Sequence, residues 1–328
     1  MTSPIMVSIV CNAYNQEKYI RDALDGFIAQ KTNFPFEILV HDDASTDSTP
    51  DIIREYEEKY PELVKPIYQK ENQWSQKICP SRNHQAPRVK GKYVAICEGD
   101  DYWTDPEKLQ KQFDFLEANP EYTMCTCSVY WQNMRTGVRE QQGCIAQDTD
   151  LSMEELIEEK NGRIFQMASI FVRADLWVNW PSWGRLFPIG DYPLNLHAAA
   201  HGKVRMLADT MAVYRYYSEG SWTMRMDNDE RRVVVHQRMI EGLNAFNEAT
   251  EYRYQEAVSK RIKKHKYSCA LVSHDYAALK SDELKDMYAS RPFLNRMSDR
   301  IRCKHPKFYQ TVLKRVAFML RSIQNKRR

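Results

Sequence analysis

Apolar runs and amphipathic stretches alternate along the first 130 residues. Residues 5–11 form a strand-like apolar run, residues 17–30 carry Ile20, Leu24, Phe27 and Ile28 at helical spacing, and residues 36–41 return to a strand pattern. Residues 49–60 repeat the helical signal and 63–69 are a further strand candidate. The segment 82–90 then leads through Gly91 into a strand that ends at Cys97. This order predicts a mainly parallel sheet covered by helices on both faces. Residues 105–119 predict a helix, with Pro106 in its first turn and Leu109, Phe113 and Leu116 on one side. After it the pattern loosens to a strand at 122–130, a helix at 191–200 and strands at 204–208 and 211–217. From Asp227 onward helical spacing dominates, over 231–246, 252–273 and 276–289. With no internal repeat and no low-complexity linker, this change of pattern sets a boundary near residue 226.

Composition adds that the chain is ordinary globular material. Hydrophobic residues make up 43% and charged residues 28% of its 328 positions, enough for a sizeable core and against general disorder. No apolar run reaches the roughly 18 residues that cross a bilayer, and residues 1–4 lead into a strand and not a signal peptide, so a cytoplasmic location is expected. The eight cysteines lack the spacers of zinc or redox motifs and read as reduced structural thiols; Cys125 and Cys127 share one strand face, which leaves a ligand pair as the alternative. Net charge is +3, yet ten basic and no acidic residues follow position 299, which leaves 37 basic against 44 acidic residues, a charge of −7, for positions 1–299. Between those tail charges Phe308, Val312, Val316, Met319, Leu320 and Ile323 recur at helical spacing. A basic amphipathic helix over 300–328 fits an anionic membrane surface, or else packs on its own catalytic domain. An acidic remainder argues against nucleic acid as a partner.

The chemistry concentrates at strand ends. Val94-Ala95-Ile96-Cys97 runs into Glu98-Gly99-Asp100-Asp101, and the strand 36–41 runs into Asp42-Asp43. Carboxylates packed this closely repel one another and suit a hard cation such as Mn²⁺ or Mg²⁺, which can also neutralise a diphosphate. Ligands of open α/β sheets collect outside the carboxyl ends of the strands, so two acidic ends on one sheet edge define a candidate binding crevice.

Three segments, Val7-Ser8-Ile9-Val10-Cys11-Asn12-Ala13-Tyr14-Asn15, His41-Asp42-Asp43-Ala44-Ser45-Thr46-Asp47 and Glu98-Gly99-Asp100-Asp101, resemble in order and spacing the signature of the inverting glycosyltransferases of family 2, over about residues 5–225. The resemblance implies an α/β fold of the GT-A, Rossmann-like type with a C-terminal α-helical extension. Its catalytic domain would span 1–225, with a nucleotide-sugar-binding half at 1–130 and an acceptor-binding half at 131–225, and 226–328 would be the helical extension. It further implies a nucleotide-diphospho-sugar donor, a UDP-sugar first. Tyr14 would lie beside the base, with Ala13 and Asn15 also among the donor-binding residues, Asp43 would bond the uracil edge, Asp100 the ribose hydroxyls, and Asp101 would ligate the metal. Glu98 stands where relatives carry aspartate and would reach the metal through water. Asp42, Asp47 and Asp105 have helix capping as their alternative role.

By the same resemblance Asp191, in Pro188-Ile189-Gly190-Asp191-Tyr192, is the catalytic base that takes the acceptor proton, with an N-cap as the alternative; Gly190 occupies the place of a second acid. Residues 213–222 resemble a segment that folds over bound donor, with Arg215 a diphosphate contact and Ser221-Trp222 part of the lid; Tyr217 stands where relatives have a metal-binding histidine. Trp177, Trp180 and Trp183 are candidates for stacking on an acceptor sugar, or for the core. His197 and His201 have helical zinc-pair spacing but lack a glutamate after His197, which favours packing. The expected activity is metal-dependent inverting hexosyl transfer to a glycan or polyprenyl-linked saccharide in surface polysaccharide synthesis. The rivals are a non-catalytic nucleotide-sugar binding module and a sugar nucleotidyltransferase, the latter lacking its glycine-rich triphosphate loop at residues 12–15.

Overall fold

The structure, a computed structural model, describes residues 4–141, 143–159 and 166–309. The chain divides into two compact units, one of Met1–Arg185 with Ile189–Met224, the other of Leu186–Pro188 with Arg225–Arg328.

Unit 1 is built on one mixed sheet. In chain order its elements are β1 (Val7–Ala13), α1 (Ile20–Ile28), β2 (Phe36–Asp42), α2 (Thr49–Lys59), β3 (Val64–Tyr68), β4 (Tyr93–Ile96), β5 (Tyr102–Trp103), α3 (Lys108–Ala118), β6 (Tyr122–Asn133), β7 (Arg139–Gln141), β8 (Thr149–Leu151), α4 (Met153–Glu158), β9 (Phe171–Arg173), α5 (Ala174–Val178), α6 (Asp191–His201) and β10 (Lys203–Tyr216). Strand order is β3-β2-β1-β4-β9-β6-β10-β5, with β7 on β6 and β8 on β10. The run β3-β2-β1-β4 is parallel throughout, as βαβ crossovers require, and the antiparallel pairings come with β5, β7, β8 and β9. β1 is buried along nearly its whole length because layers cover both faces. α1 forms because Ile20, Ala23, Leu24 and Phe27 fall on one buried side, each large one contributing about 1.5–3 kcal/mol.

Two local expectations changed. The two strands expected at 204–208 and 211–217 are one strand, β10, whose pairing with β6 shifts register around Thr210. Ala208-Asp209-Thr210 reads as a break because a bulge interrupts the alternation without ending the pairing. The segment 82–90 folds into helical turns, Ser81–Gln85 and Ala86–Arg88, held down by buried Gln85, whose Nε2 donates to the carbonyls of Cys11 and Leu39.

Unit 2 contains α7 (Trp222–Arg225, which begins in unit 1), α8 (Asp229–Ala249), α9 (Gln255–Val272), α10 (Tyr276–Leu279), α11 (Lys285–Ser290) and α12 (Phe293–Lys304). The second change lies here: the helix expected at 276–289 is two, α10 and α11. Asn228 caps α8 by accepting from the Arg231 amide at 2.9 Å. Tyr267, Ala270, Leu279, Leu284, Tyr288 and Cys303 form a small core of their own. A cavity of about 400 Å³, lined by Asp229, Glu230, Val233, Val272, Ser273 and His274, holds none of the expected site residues. The expected tail helix over 300–328 lies outside the described residues from position 310. Among the described residues no helix is long and apolar enough to cross a membrane.

Candidate active site

Parallel pairing sets the carboxyl ends of β2, β1 and β4 side by side, with Ala13 opposite Asp42 and Val10 opposite Ile96. Hydrogen bonds extend the alignment past the strands. The Asp43 amide donates to the Ala13 carbonyl at 2.9 Å, the Gly99 amide to the Asn12 carbonyl at 3.0 Å, and the Asn12 amide to Glu98 Oε2 at 3.2 Å. The Asp43 turn and the Glu98–Asp101 turn therefore border one sheet edge, two strand spacings or about 9.5 Å apart. A Cβ at Gly99 would lie 2.3 Å from Gln16 Oε1 and 2.8 Å from Ile20 Cδ1, two side-chain ends that would have to shift.

On the β1 side Tyr14 is 42% exposed. Asn15, at a left-handed φ of 52°, donates from its amide to Ser45 Oγ at 2.9 Å, and its Oδ1 accepts from the Thr46 amide at 2.8 Å. These bonds lock Ala13–Asn15 against the Asp43 turn. Asp43 is only 4% exposed; its two carboxylate oxygens accept from the Gln73 and Trp74 amides at 2.7 and 3.1 Å, so the loop after β3 closes on it. Asp42 Oδ2 accepts from the Ser45 amide while its Oδ1 is buried without a partner, and burial pushes its carboxyl up. Asp47 accepts from the first amide of α2 and from Glu17, and Asp105 from Glu107 and Lys111; both are held below the usual carboxylate range by these bonds.

Glu98, Asp100 and Asp101 crowd together with little solvent. Burial, then the charge of Asp100, pushes Glu98 up to about 7. Asp100 is raised by burial, and Asp101, 3% exposed, is raised well above the carboxylate range by burial and then by Asp100. Partners come from the end of β10: the Arg215 amide donates to Asp101 Oδ1 at 2.8 Å and the Ser218 hydroxyl to Asp100 Oδ2 at 2.8 Å. The Arg215 side chain is buried between Tyr102 and Tyr19, donates to the Asp100 carbonyl at 3.1 Å and is ion-paired with Asp22. A diphosphate would have to compete with Asp22 for it.

Asp191 is the first residue of α6, with Gly190 in the capping position, and its Oδ1 accepts from the adjacent Tyr192 amide at 2.8 Å. Burial pushes it up to about 6, with Glu159 adding to the rise. Tyr214 on β10 is raised by burial and then by the charges of Asp101, Asp100 and Asp191. Tyr217 takes a left-handed φ of 62°, donates from its amide to Thr223 Oγ1 and stacks under Arg135 at 4.0 Å.

His201 Nδ1 pairs with the His197 carbonyl at 2.8 Å, a bond within α6 and not a shared ligand. Trp177 is buried, and Trp180 packs at 3.6 Å from the guanidinium of Arg82, which also donates to the Trp177 carbonyl. Sequence reasoning missed Asn12, Ser218, Tyr214 and Arg82. Asn12 and Ser218 lay inside quoted motifs, but only tertiary contact assigns them to Glu98 and Asp100.

Among the described residues no group of three or more His, Cys, Asp or Glu is arranged to hold a metal ion. The chemistry of the acidic turn nonetheless fits a hard cation: its carboxylates are raised by burial and by one another, a tension that a divalent ion relieves. Asp101, with one oxygen taken by the Arg215 amide of β10, is the residue that would hold it.

A family model described as glycosyl transferase family 2 matches residues 8–177. An uncharacterized protein of Mycobacterium tuberculosis is 40% identical over 225 residues, covering 66% of this chain and 60% of that protein. The chain therefore spans about 60% of the length of the first curated relatives it matches. WfaP of Escherichia coli, a UDP-Glc:alpha-D-GlcNAc-diphosphoundecaprenol beta-1,3-glucosyltransferase, is 32% identical over 113 residues, 34% of this chain and 42% of its own. Among solved structures, a mannosyltransferase of Pyrobaculum calidifontis in complex with GDP-Man and Mn²⁺ superposes with a TM-score of 0.55 at 16% identity, covering 97% of this chain and 87% of that one. That likeness shows the GT-A fold.

Proposed function

Because this chain belongs to glycosyl transferase family 2, we propose that it is a metal-dependent inverting transferase that moves a sugar from a nucleotide-diphospho-sugar, a UDP-sugar first, to a saccharide acceptor in surface polysaccharide assembly. The observation that carries this reading is the shared edge: Ala13–Asn15, the Asp43 turn and Glu98–Asp101 lie at the ends of three adjacent parallel strands. A relative named for a UDP-Glc donor and a diphosphoundecaprenol acceptor supports the donor class and a lipid-linked acceptor. A fold neighbour solved with GDP-Man and Mn²⁺ supports the cofactor.

Tyr14, exposed beside the Asp43 turn, offers a stacking face to the base. Asp43 bonds the base edge once the Gln73 and Trp74 amides yield, and Asp100 bonds the ribose hydroxyls. Asp101 would hold a divalent cation, which would supply positive charge against the negative charge growing on the departing diphosphate. Asp191 takes the acceptor proton; at about 6 its pKa keeps it ionised at neutral pH yet basic enough to accept a proton. Exposed Phe293, Leu294, Met297 and Phe308, with Arg300, Lys304 and Lys307 beside them, suit the anionic membrane surface where a lipid-linked acceptor resides.

The test is release of UDP from a panel of UDP-sugars, followed with and without Mn²⁺. Turnover is expected with Mn²⁺, abolished by chelation and absent in Asp101→Ala. A protein that binds UDP-sugar tightly but releases no UDP with any donor and acceptor would be a binding module and not a transferase.

A further inference from the structure

Arg82 lies in the helical turn Ser81–Gln85 of unit 1, half-buried, with one face on the Trp180 ring at 3.6 Å and Trp177 at 4.8 Å. Its guanidinium makes one hydrogen bond, to the Trp177 carbonyl, and has no carboxylate partner among the described residues. A guanidinium withdrawn from water without a counter-ion is unfavourable, and here burial pushes it down to about 10, with Arg185 adding repulsion. His197 on α6 is 7% exposed, and burial, then the charge of His201, lowers it to about 4, so it is a neutral imidazole at neutral pH. An arginine fork without a carboxylate, stacked on two indole walls, makes a place for an anion that the protein does not itself supply.

Position decides which substrate carries that anion. The walls come from α5 and the segment 179–185, which lead into α6 and Asp191, and not from the Asp43 turn or the acidic turn at residues 98–101, where three carboxylates would repel a second bare phosphate. Contact with the donor side is nonetheless close, because Ser81, the residue before Arg82, accepts a 2.9 Å hydrogen bond from Asn12, which also bonds Glu98. Resting on the reading of Asp191 as the acceptor-side base, we propose that Arg82, walled by Trp177 and Trp180, binds an anionic group, a phosphate or a carboxylate, on the acceptor. The acceptor is then a charged saccharide or a phosphate-linked one, and Arg82 is a specificity determinant for it.

The probe is inorganic phosphate, titrated into the full chain at constant ionic strength against chloride, with tryptophan fluorescence as the readout because Trp180 touches the guanidinium. The parent protein is expected to show a saturable change, weakened at least tenfold in Arg82→Gln and partly restored in Arg82→Lys, which keeps the charge but not the planar fork. Melting temperatures of both variants establish that they fold. A second arm adds UDP with Mn²⁺: it should bind Arg82→Gln as it binds the parent and should not displace phosphate. No saturable phosphate response would overturn the site, and displacement of phosphate by UDP would assign it to the donor. Either result leaves UDP release from UDP-sugars intact, so failure here is distinct from failure of the transferase reading.

Discussion

At the scale of single residues, burial without solvation sets the chemistry. Asp191 stands at about 6 because it is withdrawn from water at the start of α6. A base must be ionised, so the transfer rate is expected to fall as pH drops through about 6 and to level off above it. Asp191→Asn should lose about 10²- to 10⁴-fold in turnover while keeping its affinity for donor, measured by calorimetry. Retained turnover would remove Asp191 from the mechanism. Stability carries the opposite sign. An acid raised above its ordinary value near 4 binds its proton more tightly folded than unfolded, so it destabilises the fold at pH values above about 6 and not at pH 4. Asp191→Asn should therefore melt higher than the parent at pH 8, and the difference should vanish by pH 4. Asp43, Asp100 and Asp101 were legible in the sequence as candidates because they end apolar runs. Their partners were not: the hydroxyl on Asp100 belongs to Ser218, 118 positions away.

At the scale of elements, α1 does two jobs. Its buried side anchors the sheet, its Asp22 pairs with Arg215 of β10, and Lys18, just before it, pairs with Glu219, just after β10. The two ion pairs should differ sharply in weight. Both members of Lys18–Glu219 are well exposed, so Lys18→Ala is expected to change stability by less than about 1 kcal/mol. Asp22→Ala leaves a buried guanidinium uncompensated and should lower stability by about 2 kcal/mol in urea unfolding, less than for a wholly buried pair because Asp22 is itself half exposed. Equal effects would show that Arg215 finds another partner. Gly91 is the second test of an element: a Cβ there would lie 2.5 Å from the Ser8 amide nitrogen and 2.7 Å from the Tyr93 carbonyl, both backbone. Gly91→Ala is expected to lose about 2 kcal/mol or more, since β1 and β4 must move apart. Amphipathic helices such as α1 and α2 were visible as spacing. The continuity of β10 was not, because its bulge breaks the alternation that marks a strand.

At the scale of the whole molecule, a cytoplasmic-face partner for the helical C-terminal region is the remaining expectation to test. The intact protein is expected to sediment with vesicles of phosphatidylglycerol and phosphatidylcholine, and not with phosphatidylcholine alone. Replacing Lys304 and Lys307 with Gln should weaken that binding by about 30-fold, at about 1 kcal/mol for each basic residue near the surface. Equal sedimentation on neutral vesicles would exclude the electrostatic part of the reading. The primary structure determined the βαβ order, the amphipathic faces and the acidic strand ends, because these depend on spacing within a dozen residues and on residue type alone. Which acids would share a site depended on strand order: β4 pairs beside β1 across more than eighty positions, and that pairing brings Glu98 onto Asn12. The same holds for Arg82, unremarkable as a letter in the chain. Only packing among Trp177, Trp180 and α6 withdraws it from water with no acid to answer it, because a desolvated charge is a property of surroundings and not of sequence.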